Sequence, residues 1–395
     1  MDLSLSGLKV LDMTRVLAGP YCTMVLADLG ADVIKIEAPV KGDDSRQFGP
    51  YVNGESAYFM SINRNKRSMT LNLKSPSGKA LFLELIQQFD VVVENFRPGT
   101  MEKLGLGYDV LKEINPSLIY AASSGFGHTG PYSTRPAYDG VVQAMGGIMS
   151  ITGQVGGKPT RVGPSIGDIT AGLFTAIGVL AAVNYRNVTG KGQKVDVAML
   201  DCQVAILENA MARYFATGKS PKPAGNKHAS IVPFEPFDTS DGEIMVAVGN
   251  DGLWKKFCTE LGIQELIEDE RFITNPKRLE NYETLRPMIA EKMASESTAT
   301  WYKRLTDAGV PCGPINNIEM LTKDEQVTSR DMIVEIEHKI AGVTHIPGVP
   351  IKMSETQGAV RKAAPILGED TTEILKSLLG KTQEEIDALV AEGIF

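Results

Sequence analysis

Cysteine, histidine and tryptophan are scarce in this chain, with four, four and two copies in 395 residues. Cys22, Cys202, Cys258 and Cys312 stand far apart, so neither a disulfide framework nor a cysteine-based zinc site is expected, and the thiols read as reduced. Four histidines without metal-ligand spacing give no reason to expect a resident metal. Excess basic charge is also lacking: 40 Lys and Arg against 48 Asp and Glu leave a formal net charge of -8. General affinity for nucleic acid or an anionic membrane is therefore not expected. The longest apolar run, AGLFTAIGVLAAV at residues 171–183, is shorter than the roughly 20 residues a bilayer span needs. No basic stretch followed by an apolar one opens the chain, so no secretory leader is expected and the cytoplasm is the expected compartment. The turn after the first strand, Thr14 to Pro20, lacks Gly-x-Gly-x-x-Gly, so nicotinamide or flavin binding there is not expected.

What is present is ordinary globular composition, 43% hydrophobic and 22% charged, in a chain long enough for two cores. Short continuous apolar runs alternate with helical periodicity: LKVLDM at 8–13, a helix over 21–29, DVIKIE at 32–37, a helix over 80–88, DVVVE at 90–94 and LIYAA at 118–122. That order predicts an α/β fold whose parallel sheet is covered on both faces. A long helix from Asp168 to about 187, a Gly190–Gly192 turn, a strand over 194–198 and one helix over 199–217 complete a first domain spanning 1–217. A Lys, Pro and Gly-rich linker then leads into a smaller α/β domain within 218–325, and residues 326–395 form a C-terminal segment. That segment reads as strand-like 334–336, a proline-punctuated loop over 346–350 and a final polar helix.

Asp168 lies in GPSIGDITAG at 163–172, directly before an apolar helix. Unpaired backbone N–H groups and the helix dipole are expected to hold such a carboxylate as the anion, and an anionic carboxylate can attack a thioester. A plain helix cap explains the same residue, and Gly167 beside it leaves room for a ligand. Thr14 to Pro20 follow the first strand, where open parallel sheets place their ligand crevice. Arg46, the cluster Asn63-Arg64-Asn65-Lys66-Arg67, Lys74, Arg97 and Lys103 recur at loops and could hold phosphates, although such clusters are often solvated surface. His128 and His228 occupy Gly-containing loops, where structural roles are usual.

Taken together, GLKVLD at 7–12 with Ala18-Gly19-Pro20, GADVIKIE at 30–37, NKRS at 65–68, ENFRPG at 94–99, Gly167-Asp168 and GKGQ at 190–193 resemble the class III CoA-transferases, the formyl-CoA:oxalate and carnitine type. The resemblance implies an open Rossmann-like large domain to which the C-terminal segment returns, a small inserted domain and two interlocked subunits. It implies coenzyme A contacts at Val16, Leu17, Ala18, Arg46, Leu71, Lys74, Asn95, Phe96, Arg97 and Lys103, and an acid pocket at Ser124, Phe126, Tyr138 and His228. Asp168 would be the nucleophile, passing through an aspartyl anhydride and an aspartyl-CoA thioester. No permanent cofactor is implied, since the coenzyme A thioester is a substrate. Leu17 stands where formyl-CoA transferases have glutamine, and their glycine-rich flap is missing. The chain is therefore more similar to the subgroup taking acetyl-CoA or succinyl-CoA with oxalate or another small dicarboxylate. α-Methylacyl-CoA racemases share the fold, but this chain has Tyr138-Asp139 where they carry His-Asp. A coenzyme A binder without catalysis is the remaining alternative.

Overall fold

The computed structural model describes residues 3–395. Its centre is a parallel sheet of β1 (Lys9–Asp12), β2 (Asp32–Glu37), β3 (Lys66–Thr70), β4 (Val91–Glu94), β5 (Ile119–Ser124) and β6 (Lys194–Ala198), in the order β3-β2-β1-β4-β5-β6. Continuous apolar strands form here because both faces are buried. Val92 joins Leu11, Ile34 and Met69 in one core, whereas Val91 and Val93 join Val10 and Val33 in the other. Alternate side chains thus serve two layers of helices. β3 lies where the sequence reads as a basic loop: Lys66 and Arg67 open a strand, and their charges are paired inside the fold.

Strand order reverses between β1 and β4, so the loops leaving their carboxyl ends diverge and open a crevice. From β1 the chain enters α1 (Ala18–Asp28), earlier than the expected 21–29, and α2 (Pro76–Ile86) and α3 (Asp139–Met145) follow further on. The helix that begins beside Asp168 is α4 (Ile166–Thr189), 24 residues long. Its inner face is small: Ala171, Gly172, Thr175, Ala176, Val179 and Ala182 are buried. A Cβ at Gly172 would lie 2.7 Å from the Ala18 carbonyl oxygen, so glycine lets α4 approach the start of α1. By length and composition α4 could cross a membrane, unlike the 13-residue run inside it, yet one face packs on α1 and the sheet.

The chain divides into two compact units. The first holds Met1–Met149, Arg161–Lys219 and Glu325–Phe395, and the second holds Ser150–Thr160 and Ser220–Asp324. Ser150–Thr160, placed by sequence in the first domain, belongs to the second because the Gly153 carbonyl accepts the Gly225 N–H at 2.9 Å. That unit is a three-stranded antiparallel sheet of Phe234–Asp238, Glu243–Ala247 and Cys312–Pro314, with its own core around Trp254, Phe257, Leu285 and Trp301. The single helix expected over 199–217 is two, Met199–Ala205 and Glu208–Thr217, broken where Leu207 turns inward. In the tail, Ile333–His338 pairs with Gly342–Pro347, so part of the expected 346–350 loop is strand. The His338 imidazole Nδ1 accepts the Ile340 and Ala341 N–H groups and shapes that turn. Helices Thr371–Leu379 and Gln383–Ala391 then place Ile374, Leu375 and Ile386 in the core of the large sheet.

Candidate active site at the sheet switch point

The loop leaving β1 is fixed from beneath by buried charge. Asp12 accepts the Thr14 N–H at 2.8 Å, the Thr23 hydroxyl at 2.7 Å and the Lys66 ammonium at 3.0 Å. Burial alone would raise its pKa, but Lys35 and Lys66 hold it well below the usual carboxylate range. The Lys35 ammonium donates to the Thr14 carbonyl at 2.6 Å and lies 2.8 Å from Asp43. Asp43 in turn accepts the Val16 N–H at 3.0 Å. The Asn95 amide clamps the same loop from β4, accepting the Arg15 N–H at 2.9 Å and donating to the Arg15 carbonyl at 2.8 Å. Under these restraints Val16 takes φ 67°, a left-handed conformation costly for a β-branched residue. The outcome is a fixed entry into α1, where the N–H groups of Leu17, Ala18 and Gly19 donate to no acceptor among the described residues.

Leu17 and Ala18 line a cavity of about 150 Å³ that also receives Arg15, Val16, Asn95, Phe96, Arg97, Ser123, Ser124, Arg135, Tyr138 and Asp168. Asp168 sits in the first turn of α4 and, among the described residues, accepts no hydrogen bond. It is not held as a stabilised anion, as the sequence led one to expect. Burial first, and the neighbouring Asp139 carboxylate second, push its pKa up to about 7. Asp139 is fixed by the Gly167 N–H at 2.9 Å and the Gln143 amide at 2.8 Å. Gly167 is required for a different reason than ligand access: a Cβ there would lie 2.7 Å from Val142 and 3.1 Å from Asp139. Tyr58 also feels Asp168, since burial and then that carboxylate raise its hydroxyl to about 12.

A second cavity of about 440 Å³ opens alongside, lined by Met13, Thr14, Glu37, Leu71, Asn72 and Lys74, and it shares Arg15 and Phe96 with the first. An apolar floor with one ammonium at its edge suits the base and phosphate of a nucleotide. Glu37 is no free ribose ligand, because both Arg46 nitrogens grip it at 2.7 Å and the Ser68 hydroxyl donates to it at 2.7 Å.

Of the residues singled out by sequence, the fold brings Val16, Leu17, Ala18, Asn95, Phe96, Arg97, Ser124, Tyr138 and Asp168 to the small cavity and Leu71, Lys74 and Phe96 to the larger one. Arg46 goes elsewhere: its guanidinium is spent on Glu37 and stacks 3.7 Å from the Phe59 ring centre. Arg64 is likewise spent on Asp28. Lys103 is exposed on the helix Thr100–Leu104, outside both linings. Phe126 packs against the core cluster that holds Ala18, Val142 and Met199 and lies outside both linings. His228 belongs to the second unit, where its ring lies 5.1 Å from Phe234 and its Nδ1 accepts the Ser230 N–H. Sequence reasoning missed Arg135 and Ser123, and it reached Arg15 only as a member of the Thr14–Pro20 turn.

A partly buried carboxylate that shares a cavity with the open start of a helix, at the switch point of a doubly wound sheet and beside a nucleotide-sized cleft, has the groups that acyl transfer needs. The chain belongs to CoA-transferase family III, whose profile matches residues 5–371. It is 43% identical to an acetyl-CoA:oxalate CoA-transferase of Acetobacter aceti over 94% of each chain. It is 40% identical to the human succinyl-CoA:glutarate CoA-transferase, covering 99% of this chain and 89% of that one. The crystal structure of a CaiB/BaiF family protein from Brucella suis superposes with a TM-score of 0.85 at 41% identity, covering 96% of this chain and all of that one. The chain is therefore a class III CoA-transferase, using coenzyme A thioesters as substrates.

Proposed function

We propose that this enzyme carries coenzyme A from succinyl-CoA or acetyl-CoA to a small dicarboxylic acid, with Asp168 as the covalent relay. The observation that carries the reading is the Asp168 carboxylate, without a hydrogen-bond partner among the described residues, in the same small cavity as Leu17 and Ala18 at the open start of α1. Ionised Asp168 attacks the donor thioester carbonyl while the Leu17 and Ala18 N–H groups steady the oxyanion, and coenzyme A leaves as thiolate. The thiolate attacks the aspartyl carbonyl of the anhydride, the donor acid departs, and an aspartyl-CoA thioester remains. The acceptor carboxylate displaces the thiolate again, and its return to the acceptor's acyl carbon releases the new thioester and free Asp168.

Relatives named for oxalate, glutarate and mesaconate all act on dicarboxylates. Arg15, Arg97 and Arg135 at the cavity supply the cationic charge a second carboxylate would seek. The purified enzyme, given each donor with a panel of mono- and dicarboxylic acids and no nucleoside triphosphate, is expected to form new thioesters chiefly with the dicarboxylic acids. A preference for monocarboxylic acids would overturn the acceptor class.

The working unit we propose is an interlocked homodimer in the cytoplasm. Support for the dimer comes from the outer face of α4, where Leu173, Phe174, Ile177, Tyr185 and Val188 are exposed on an apolar helix. The four unpaired cysteines fit a reducing compartment.

A further inference from the structure

Glu94 ends β4 and precedes the turn at residues 95–97, which supplies Asn95, Phe96 and Arg97 to the cavities. Its carboxylate Oε2 accepts the Phe96 N–H at 2.7 Å, and its Oε1 accepts the Tyr120 hydroxyl at 3.1 Å. Among the described residues no lysine or arginine forms an ion pair with it, although it is only 2% exposed. His128, from the loop after β5, places Nε2 3.6 Å from Glu94 Oε1. That nitrogen is buried and has no hydrogen-bond partner among the described residues. The Lys194 ammonium lies 3.0 Å from His128 Nδ1, and an ammonium can only donate, so Nδ1 accepts and Nε2 carries the proton toward Glu94. The other charged groups around the pair are Glu102 from the helix Thr100–Leu104 and Asp196 from β6, which accepts the His128 backbone N–H.

We infer that Glu94 is a positioning residue for coenzyme A: its ionised form, joined by the waiting His128 N–H, locks the 95–97 turn into the shape that lines both cavities. Burial pushes the Glu94 carboxyl up to about 7, and burial followed by Lys194 lowers His128, so the histidine stays neutral while Glu94 titrates. A carboxylate holds the Phe96 N–H more strongly than a carboxylic acid does. Coenzyme A therefore binds more tightly as pH rises through neutrality. This rests on the coenzyme A reading above and concerns binding rather than bond making.

The test is the dissociation constant of coenzyme A measured by calorimetry from pH 6 to pH 8.5, in Asp168→Asn so that the other neutral titration is absent. Roughly three- to tenfold tightening over that span is expected. Adding Glu94→Gln, which keeps an acceptor for the Phe96 N–H, should reduce the dependence to that of the ligand's own phosphate. An equal slope with and without Glu94→Gln overturns the inference, whereas no coenzyme A binding at any pH overturns the functional reading instead. If the double variant does not fold, His128→Phe in the same background decides: loss of the N–H should move the midpoint to higher pH, and an unmoved midpoint overturns the inference.

Discussion

At the scale of single residues, the proposed relay requires Asp168 to be a poor anion at rest and a competent one when acyl-CoA is bound. If that proposal holds, Asp168→Asn should reduce transfer at least about a thousandfold in steady-state assays, since only binding and oxyanion contacts would remain. In the wild type, kcat/KM should rise with pH through about 7, where the carboxyl loses its proton. Asp139→Asn removes the second cause of the raised pKa, so the inflection should move to lower pH. An unmoved inflection would show that the rate reports another group. Stability carries the opposite sign. The unfolded chain releases this proton near 3.8 and the folded one near 7, so the folded state holds the proton more tightly in between. The stability this confers is complete below about pH 4 and is lost as pH rises through 7. A neutral asparagine side chain has no charge to bury, so Asp168→Asn should gain about 2 kcal/mol over the wild type at pH 8, the full shift being discounted for residual solvent contact. It should gain little at pH 4, and melting temperatures at the two values check this.

At the scale of elements, strands were the most legible feature, because runs such as Val91 to Val93 are buried on both faces and apolar throughout. β3 escaped notice because Lys66 is buried through its pairing with Asp12, and hydropathy cannot anticipate a partner 54 positions away. Asp168 was legible from its helix start and family motif, but its proton affinity was not. That depends on Asp139, set 29 positions earlier in sequence and brought close by α3 packing on α4. The clamp behind the strained Val16 was hidden in the same way, since Asp43, paired with Lys35, reaches the Val16 N–H across 27 positions. Contact between α1 and α4 fixes the spacing between the start of α1 and Asp168. Gly172→Ala would force its methyl against the Ala18 carbonyl and Tyr21, at a cost of about 1–3 kcal/mol. Denaturant midpoints should record that loss, and kcat should fall more than KM rises. A stable variant with normal kcat would show that the spacing does not matter.

At the scale of the whole molecule, composition announced a globular protein and the alternation of strands with helices an α/β fold, and the fold agrees, yet α4 carries more apolar surface than the large unit consumes. Leu173, Ile177, Tyr185 and Val188 recur at helical spacing along its outer face, and Ile177 is 60% exposed. The helix Glu208–Thr217 of the same unit buries none of its residues and leaves Phe215 74% exposed. Sequence periodicity could not separate the two faces, because both are apolar. If a second copy covers this row, Ile177→Lys must bury an unpaired ammonium at the interface, which costs several kcal/mol after relaxation. Sedimentation should then show dissociation, and the melting temperature should fall and become dependent on protein concentration. If α4 faces only water, the same substitution changes stability by less than about 0.5 kcal/mol. A sedimentation profile identical to that of the wild type, with an unchanged melting temperature, would then rule out a dimer built on this face.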